Sequence, residues 1–477
     1  MSEIEISLDQ ISRKKTQFTR QVDLESSVSC DSNKKRVGIK TMGCKVNAYE
    51  SELISETLKG NDWRPVSSSD VADLYIINTC TVTQEADRQA RREVRKVIRQ
   101  NPNAMVVVTG CYAQMDSESC ANIPGVDLVL GNNRKLDIHE FLPDLEKGNL
   151  PKILVGDLDE HVSLPSELLT GYEAQTRAFI QIQQGCDQGC TFCIIHRARG
   201  PSRSLAPTLI RRQVEHLAIN GYPEIVICGV DLGSYGEDFP VIEKPYRLVD
   251  LLSDLLSIDV PENPDFRIRL SSIDPVHITN DLVELMSADK RICPHIHLSL
   301  QSGSTLILKR MKRRYTREDV YHRIQQLREK IPDLVMSADV MVGFPTETEE
   351  HFDQTKKALI DLDIAFPHIF SYSDRTGTPA ARIPNIKHVP PAVKKKRSND
   401  LRIVANQLQN QLHASQVNNV VWVLPEKRLK KSLKARSEHY LTVMIDVNDA
   451  TSIPLGKWIK VRYIGVENQH MLAEIVI

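Results

Sequence analysis

Six of the ten cysteines in this 477-residue chain form two groups of three that could each hold an iron–sulfur cluster. Cys186, Cys190 and Cys193 lie in Gly185-Cys-Asp-Gln-Gly-Cys-Thr-Phe-Cys193, a C-x3-C-x2-C spacing. Cys44, Cys80 and Cys111 are dispersed, each just past a short apolar run. Three thiolates fill three of the four protein positions on a [4Fe–4S] cluster, which leaves one iron open to a substrate or a second cofactor. Two open clusters in one chain suit radical chemistry. Zinc is the structural alternative for the compact group, but zinc sites use C-x2-C pairs completed by a second pair or by histidines. No second pair follows here, and His196 comes too soon to be a comfortable fourth ligand. For the dispersed group the alternative is three unrelated loop cysteines. Cys30, Cys120, Cys228 and Cys293 read as structural or incidental, and His295 and His297 as satisfied barrel histidines.

The elements that must position these thiols are readable from periodicity. Strand-like runs at Val37–Thr41, Leu74–Asn78, Met105–Thr109 and Val126–Leu130 alternate with helical patterns, of which Ala86, Ala90, Val94, Val97 and Ile98 form the clearest stripe. Such alternation predicts a doubly wound parallel sheet, whose ligands gather beyond the carboxyl ends of the strands. Cys44, Cys80 and Cys111 all fall there. A second βα series has strands at Ala178–Gln183, Glu224–Cys228, Phe266–Leu270, Ile296–Leu300, Leu334–Val342 and His368–Tyr372. Six units are too few for an eight-fold barrel and predict an open, partial one. The compact cysteine group occupies its first loop. A capping box Thr346-Glu-Thr-Glu349 is expected to start a helix over Glu347–Asp361. Short β runs from Val420 onward predict a small β-barrel, with the basic segment Glu426–Arg436 as a connection between strands.

The expected organisation is therefore α/β with five parts. These are a flexible tail at 1–35, the doubly wound N-terminal domain at 36–146, a linker at 147–171, the partial (βα)6 barrel at 172–405 and a C-terminal β-barrel at 406–477. Length alone suggests about three domains. Charge is balanced, 61 basic against 62 acidic residues, so no global field announces nucleic acid. No apolar run approaches the ~20 residues of a membrane span. The first 35 residues lack the apolar region of a signal peptide, and their acidic residues argue against a mitochondrial presequence. A cytoplasmic location is expected, where cysteine groups mean metal or catalysis more often than disulfides. Basic runs at Arg88–Arg99 and Lys309–Arg317 join the basic C-terminal segment as a candidate phosphate track, although each alone could be a solvated face.

The compact loop and the strands after it resemble the radical S-adenosylmethionine (SAM) enzymes. Read with Thr41-Met-Gly-Cys-Lys-Val-Asn47, Asn78-Thr-Cys-Thr-Val-Thr83 and Val107-Val-Thr-Gly-Cys-Tyr-Ala-Gln114, the chain resembles the methylthiotransferases of that superfamily. Arg269-Leu-Ser-Ser-Ile-Asp-Pro275, His297-Leu-Ser-Leu-Gln-Ser-Gly303 and Val342-Gly-Phe-Pro-Thr-Glu347 are similar to motifs of their core, and the terminal β region to their RNA-binding TRAM domain. The residues after Cys44 and around Cys80 resemble the branch that acts on N6-threonylcarbamoyladenosine in tRNA. His196 departs from the proline common at that place in the family.

The resemblance implies two [4Fe–4S] clusters with different work. Cys186, Cys190 and Cys193 would hold the one that cleaves SAM. Cys44, Cys80 and Cys111 would hold the one that carries or donates sulfur. It implies methylthiolation of adenine C2 at tRNA position 37, in the anticodon stem-loop. An electron donor and a sulfur source are then required partners. C2 offers neither an acidic proton nor a leaving group, so no catalytic set beyond the cluster ligands is expected. Asp231, in Cys228-Gly-Val-Asp231, would meet the SAM amino group, with Gly229 giving the backbone room; a plain βα turn is the alternative. Ser272 and Gln301 would face the same mouth, or serve only to hydrogen-bond the barrel. Gly343 could be turn chemistry alone, and Phe192 would lie near the adenine of SAM. The rivals are the same chemistry on isopentenyladenosine or on a ribosomal protein aspartate, and a noncatalytic iron–sulfur RNA-binding protein.

Overall fold

The computed structural model describes residues 34–158, 168–172, 175–241, 244–446 and 453–476. The expected tail therefore lies outside the described residues except at its end, as does Cys30, and Lys35 already begins a strand.

The first unit is a parallel sheet of order β2-β1-β3-β4-β5-β6. Its strands are β1 (Lys35–Thr41), β2 (Trp63–Val66), β3 (Leu74–Thr79), β4 (Met105–Gly110), β5 (Leu128–Leu130) and β6 (Lys152–Leu154). The central strand β3 is buried throughout, as a strand covered on both faces must be. Helix α1 (Lys45–Gly60) follows β1, α2 (Gln84–Gln100) follows β3, and the short α3 (Cys111–Met115) follows β4. The stripe Ala90, Val94 and Val97 of α2 is buried as its spacing requires. β2 and β6 have no counterpart among the expected strands. β6 falls in the segment read as a linker, and its three residues are too few to show a period.

The second unit has the six expected barrel strands: β7 (Arg177–Gln184), β9 (Glu224–Gly229), β10 (Arg267–Leu270), β12 (His295–Gln301), β13 (Val335–Val342) and β14 (Phe366–Ser371). Short β8 (Arg203–Ser204) pairs antiparallel with the end of β7, and β11 (Ser272–Ile273) pairs with β12. The wall curves through β8-β7-β9-β10 and then β11-β12-β13-β14, with edges at β8 and β14. Alternate residues such as Ala178, Ile225, Ile268, Ile296 and Ala338 pack outward against the helices. Their neighbours Arg177, Glu224, Arg269, His295 and Ser337 therefore face the lumen at the amino ends of the strands. The helix after β13 is Glu349–Asp361 and is capped by Thr348, with His351 closing the box. Thr346 has φ +74°, so the chain is still turning at the residue expected to cap it.

The C-terminal unit is a closed barrel of order β15-β16-β17-β19-β18. The strands are β15 (Val420–Arg428), β16 (Ser432–Ser437), β17 (Thr442–Asp446), β18 (Ile459–Glu467) and β19 (His470–Ile475). The basic segment read as a connection is the β15–β16 hairpin itself. Leu433 and Ala435 alternate inward between Lys434 and Arg436. The loop after β16 plugs the lumen floor. Arg269 donates to the Glu438 carbonyl at 3.0 Å and, with Nε and Nη2, to Glu224 at 2.8 and 2.9 Å. Arg267 binds the Glu438 carboxylate. Glu224 is fully buried and also lies 3.5 Å from Arg177. Replacing Glu224→Gln leaves these guanidinium groups without their shared counter-charge and should cost about 3 kcal/mol. The expected result is a lower urea midpoint with earlier proteolytic release of the C-terminal barrel; an unchanged midpoint contradicts the role of this ion group.

Candidate functional site

β1, β3 and β4 are neighbours in register, Thr41 beside Asn78 and Asn78 beside Thr109. The loops leaving them share one sheet edge, so Cys44 at the start of α1, Cys80 after β3 and Cys111 at the start of α3 come together. The Cys80 thiol lies within electrostatic reach of both Cys111 and Cys44. The surrounding motif residues tie these turns. Asn47 Nδ2 donates to the Met42 and Thr79 carbonyls at 2.7 and 3.0 Å, and Asn78 Nδ2 to the Asn47 carbonyl at 3.1 Å. Thr79 Oγ1 donates to the Thr109 carbonyl at 2.6 Å and accepts the Tyr112 N–H at 3.2 Å. Gly43 has φ +91°, and a Cβ there would stand 2.7 Å from Cys80 Cβ. The backbone thus runs directly against the thiol.

In the loop after β7, the Cys186 N–H donates to the Gly200 carbonyl and the Cys193 N–H to the Cys190 carbonyl, both at 3.1 Å. Gly185 has φ +74°, and any Cβ there would overlap the Pro201 carbonyl. Two donors address the sulfurs: Arg313 Nη1 lies 3.3 Å from Cys190 Sγ, and the Ile195 N–H 3.4 Å from Cys193 Sγ. Burial pushes the Cys193 thiol up to about 11 and the Cys80 thiol up to about 12. Such thiols become good thiolates only against a compensating cation. Three soft donors converging twice, with N–H and guanidinium groups aimed at sulfur, fit iron–sulfur ligation.

One buried ion group joins the two triplets. Glu50 of α1 accepts from Arg199 Nη1 at 2.8 Å and Nη2 at 3.0 Å, and it binds Lys135. Arg199 follows the compact cysteine loop and also bonds Asn47. Lys135 Nζ donates to Asn132 Oδ1 at 2.8 Å. Asn132 in turn donates to the Ala198 carbonyl at 2.6 Å and lies 3.8 Å from Cys111 Sγ. Burial would raise the Glu50 carboxyl, but Arg199 and Lys135 outweigh it and hold the group below its usual range. Cys193 consequently lies within electrostatic reach of Cys111, so the triplets face each other across one gap. Glu50 closes the Gly-Cys-Lys-Val-Asn-x-x-Glu run that begins at Gly43, and Arg199 lies in the segment around the compact cysteines, so both sit in stretches that carry the resemblance. Lys135 and Asn132 lie outside them, and nothing in the sequence pairs the four. Arg313 was hidden within a basic run; it is buried and paired with Asp274 at 2.5 Å, so it leaves the phosphate track expected at Lys309–Arg317.

Gly229, Asp231, Ser272, Gln301 and Gly343 all stand at the carboxyl ends of barrel strands, and Phe192 lies in the cysteine loop. Asp231 Oδ2 accepts from Gln188 Nε2 at 2.8 Å and Ser234 Oγ at 2.9 Å, and it lies 3.9 Å from Cys186 Sγ. Gln301 has φ +61°, and its buried Oε1 has no hydrogen-bond partner. Gly343 has φ +75°, and a Cβ there would overlap the Lys394 side chain. That crowding comes from the helix Pro391–Gln416. Phe192 is half buried against the core of Ile307, Met311 and Phe344. His196 is half buried, with an unpartnered Nδ1, in a cleft of about 500 Å³ that also contains Cys186 and Gln114.

The Gly43 geometry yields a test. Gly43→Ala should displace Cys80, so that reconstituted protein loses the iron of one cluster and keeps the other. Full iron content would contradict the close approach.

Comparison with known proteins matches both domains that carry the thiols. Residues 36–131 match the model of "Uncharacterized protein family UPF0004", and residues 180–359 match the radical SAM superfamily. The threonylcarbamoyladenosine tRNA methylthiotransferase MtaB of Rickettsia prowazekii is 37% identical over 93% of this chain and 98% of its own length. The Bacillus subtilis protein of the same name is 36% identical over 89% and 93%. The tRNA-2-methylthio-N(6)-dimethylallyladenosine synthase of Staphylococcus epidermidis is 32% identical over 82% and 76%. Among solved structures, the radical SAM methyltransferase TsrM from Kitasatospora setae shares the fold. It has a TM-score of 0.50 and 15% identity, and the match covers 73% of this chain and 77% of that one. On its two matched domains, its two thiol triplets and its identity to these relatives along most of its length, the chain belongs to the radical SAM methylthiotransferase family.

Proposed function

We propose that this enzyme places a methylthio group on C2 of N6-threonylcarbamoyladenosine at position 37 of tRNA, beside the anticodon, to give 2-methylthio-N6-threonylcarbamoyladenosine. The observation that carries the chemistry is the pairing of two thiol triplets across one gap by Glu50, Arg199 and Lys135. The substrate rests on relatives named for it that match along nearly their whole length. No helix among the described residues is long and apolar enough to cross a membrane, and a tRNA substrate fits the cytoplasm.

When bound, two [4Fe–4S] clusters and SAM supply one-electron cleavage of SAM and a site of sulfur transfer. The residues do the rest. Cys186, Cys190 and Cys193 hold the SAM-cleaving cluster, with Arg313 and the Ile195 N–H donating to its sulfurs. Asp231, oriented by Gln188 and Ser234, takes the SAM amino group. Gly229, Ser272, Gln301 and Gly343 shape the mouth, and Phe192 packs beside the adenine of SAM. The orphaned Gln301 Oε1 awaits a donor from a bound molecule. Cys44, Cys80 and Cys111 hold the sulfur-transfer cluster, whose negative thiolates sit near the Arg199 charge. The barrel wall keeps water from the reacting carbon. Exposed Arg88, Arg92, Arg95 and Lys96 on α2, with the basic β15–β16 hairpin, receive the RNA backbone.

Cys190→Ala should abolish 5′-deoxyadenosine formation from SAM and dithionite. Cys80→Ala should retain that cleavage and stop thiolation; equal loss of both activities contradicts the division of labour. In a strain lacking the gene, nucleoside mass spectrometry of tRNA should show threonylcarbamoyladenosine accumulating in place of its 2-methylthio form. An unchanged methylthio nucleoside overturns the substrate.

A further inference from the structure

The barrel lumen carries polar side chains that the cluster chemistry does not use. Ile296 and Leu298 of β12 join the outer core, so His295 and His297 face inward. His295 Nε2 lies 3.0 Å from Ser337 Oγ, which lies 2.9 Å from His297 Nδ1. His297 Nε2 is 3.2 Å from Asp339 Oδ1, and Asp339 Oδ1 is 3.6 Å from His368 Nδ1 on the edge strand β14. The result is a polar file from the floor of the lumen to its open side. It is incompletely satisfied: His297 is 7% exposed, and its Nε2, like His295 Nδ1, finds no well-aligned hydrogen bond. At the floor His295 stacks on Tyr440 at 4.9 Å, and Arg177, Arg269 and Arg436 crowd the Tyr440 ring.

A cation enters from the opposite wall. α1 packs along β7 and β9, and Lys45, its first residue, is half buried. Its ammonium is within electrostatic reach of Cys228 on β9, His295 on β12 and Tyr440 at the floor. These groups stand on three sides of the lumen, and the packing of α1 on β7 and β9 sets the half-buried Lys45 among them. No carboxylate pairs with Lys45 among the described residues. The carboxylate of Asp339 is already held between two histidines, and those of Glu224 and Glu426 by arginines. A half-buried ammonium without a counter-ion, beside under-bonded histidines, is complementary to a small anion that also hydrogen-bonds.

We infer that the lumen is the binding site for the amino-acid substituent of the target base, with Lys45 taking its carboxylate and the His297–Asp339–His368 file its hydroxyl and carbonyl groups. This assignment rests on the threonylcarbamoyladenosine reading. It also explains selectivity, because an isopentenyl group would desolvate the same polar groups and return no bond.

The test is binding of synthetic anticodon stem-loops to reconstituted protein by fluorescence anisotropy. The stem-loops carry threonylcarbamoyladenosine, isopentenyladenosine or adenosine at the target position. Wild type should prefer the threonylcarbamoyl RNA. Lys45→Met should weaken that RNA by about 10- to 100-fold, the range for a hydrogen bond to a charged group, and leave the adenosine RNA unchanged. Lys45→Arg should restore part of the preference, and His368→Phe should lower it without loss of iron. Equal weakening of all three RNAs by Lys45→Met would reduce Lys45 to a phosphate contact and overturn the assignment. A wild-type preference that survives Lys45→Met overturns the subsite alone, whereas wild type that binds and converts the isopentenyladenosine RNA best overturns the substrate reading itself. The His297, Asp339 and His368 ligand atoms lie within 4.8 Å of one another. Stoichiometric zinc or manganese lost on His297→Ala, with RNA preference intact, would therefore make the file a cation site and overturn its role toward the substituent.

Discussion

The buried group of Glu50, Arg199 and Lys135 is the constraint on which the site depends. All three side chains are almost wholly excluded from water. A charge so placed is tolerable only when paired and hydrogen-bonded, and removal of one partner typically costs about 3–5 kcal/mol. Each member belongs to a different piece of the site: the helix that Cys44 begins, the short helix Ile195–Arg199 that follows the compact cysteines, and the turn that carries Asn132 to Cys111. The ion group can be complete in only one arrangement of those pieces, and that arrangement turns the two triplets toward each other. It also leaves one positive charge in excess beside thiolates that need it.

The two parallel sheets supply the coarse placement, and the ion group supplies the fine. A parallel strand delivers its successor loop to the carboxyl edge, so three adjacent strands place Cys44, Cys80 and Cys111 side by side from distant points in sequence. The barrel does the same for Asp231, Ser272 and Gln301. The opposite end of the lumen is closed by another domain: the turn at Tyr440 enters the floor, and Arg177 and Arg269 bind both it and Glu224. The lumen between plug and thiols is lined by Lys45, His297, Asp339 and His368, which gives the reaction chamber a chemical preference as well as a shape.

The compact cysteine loop, the six barrel strands and the terminal barrel were legible because each has a period or spacing of its own, and the dispersed cysteines because each follows a strand-like run. Elements shorter than a period were not. β6, at three residues, passed for linker, and the basic side chains of β16 concealed the inward alternation of Leu433 and Ala435. Thr346 and Thr348 offer the same capping chemistry, and only the turn geometry selects the second. Within the site, the thiols were visible while the pairing of their supports was not. Arg313 reads as one more basic residue until folding buries it against Cys190 and Asp274. Glu50, Lys135 and Arg199 lie far apart in sequence, and their pairing is a property of the docked domains. Lys45 stood in a recognisable motif beside Cys44, yet its direction into the lumen depends on how α1 packs on the barrel.

The central claim is that two unequal clusters face one chamber. The most direct measurement is the electron paramagnetic resonance spectrum of the reconstituted, dithionite-reduced protein. The shared gap predicts a spin–spin interaction that broadens the wild-type signal and disappears when Cys80→Ala removes one cluster. A wild-type spectrum equal to the sum of two isolated cluster signals would contradict it.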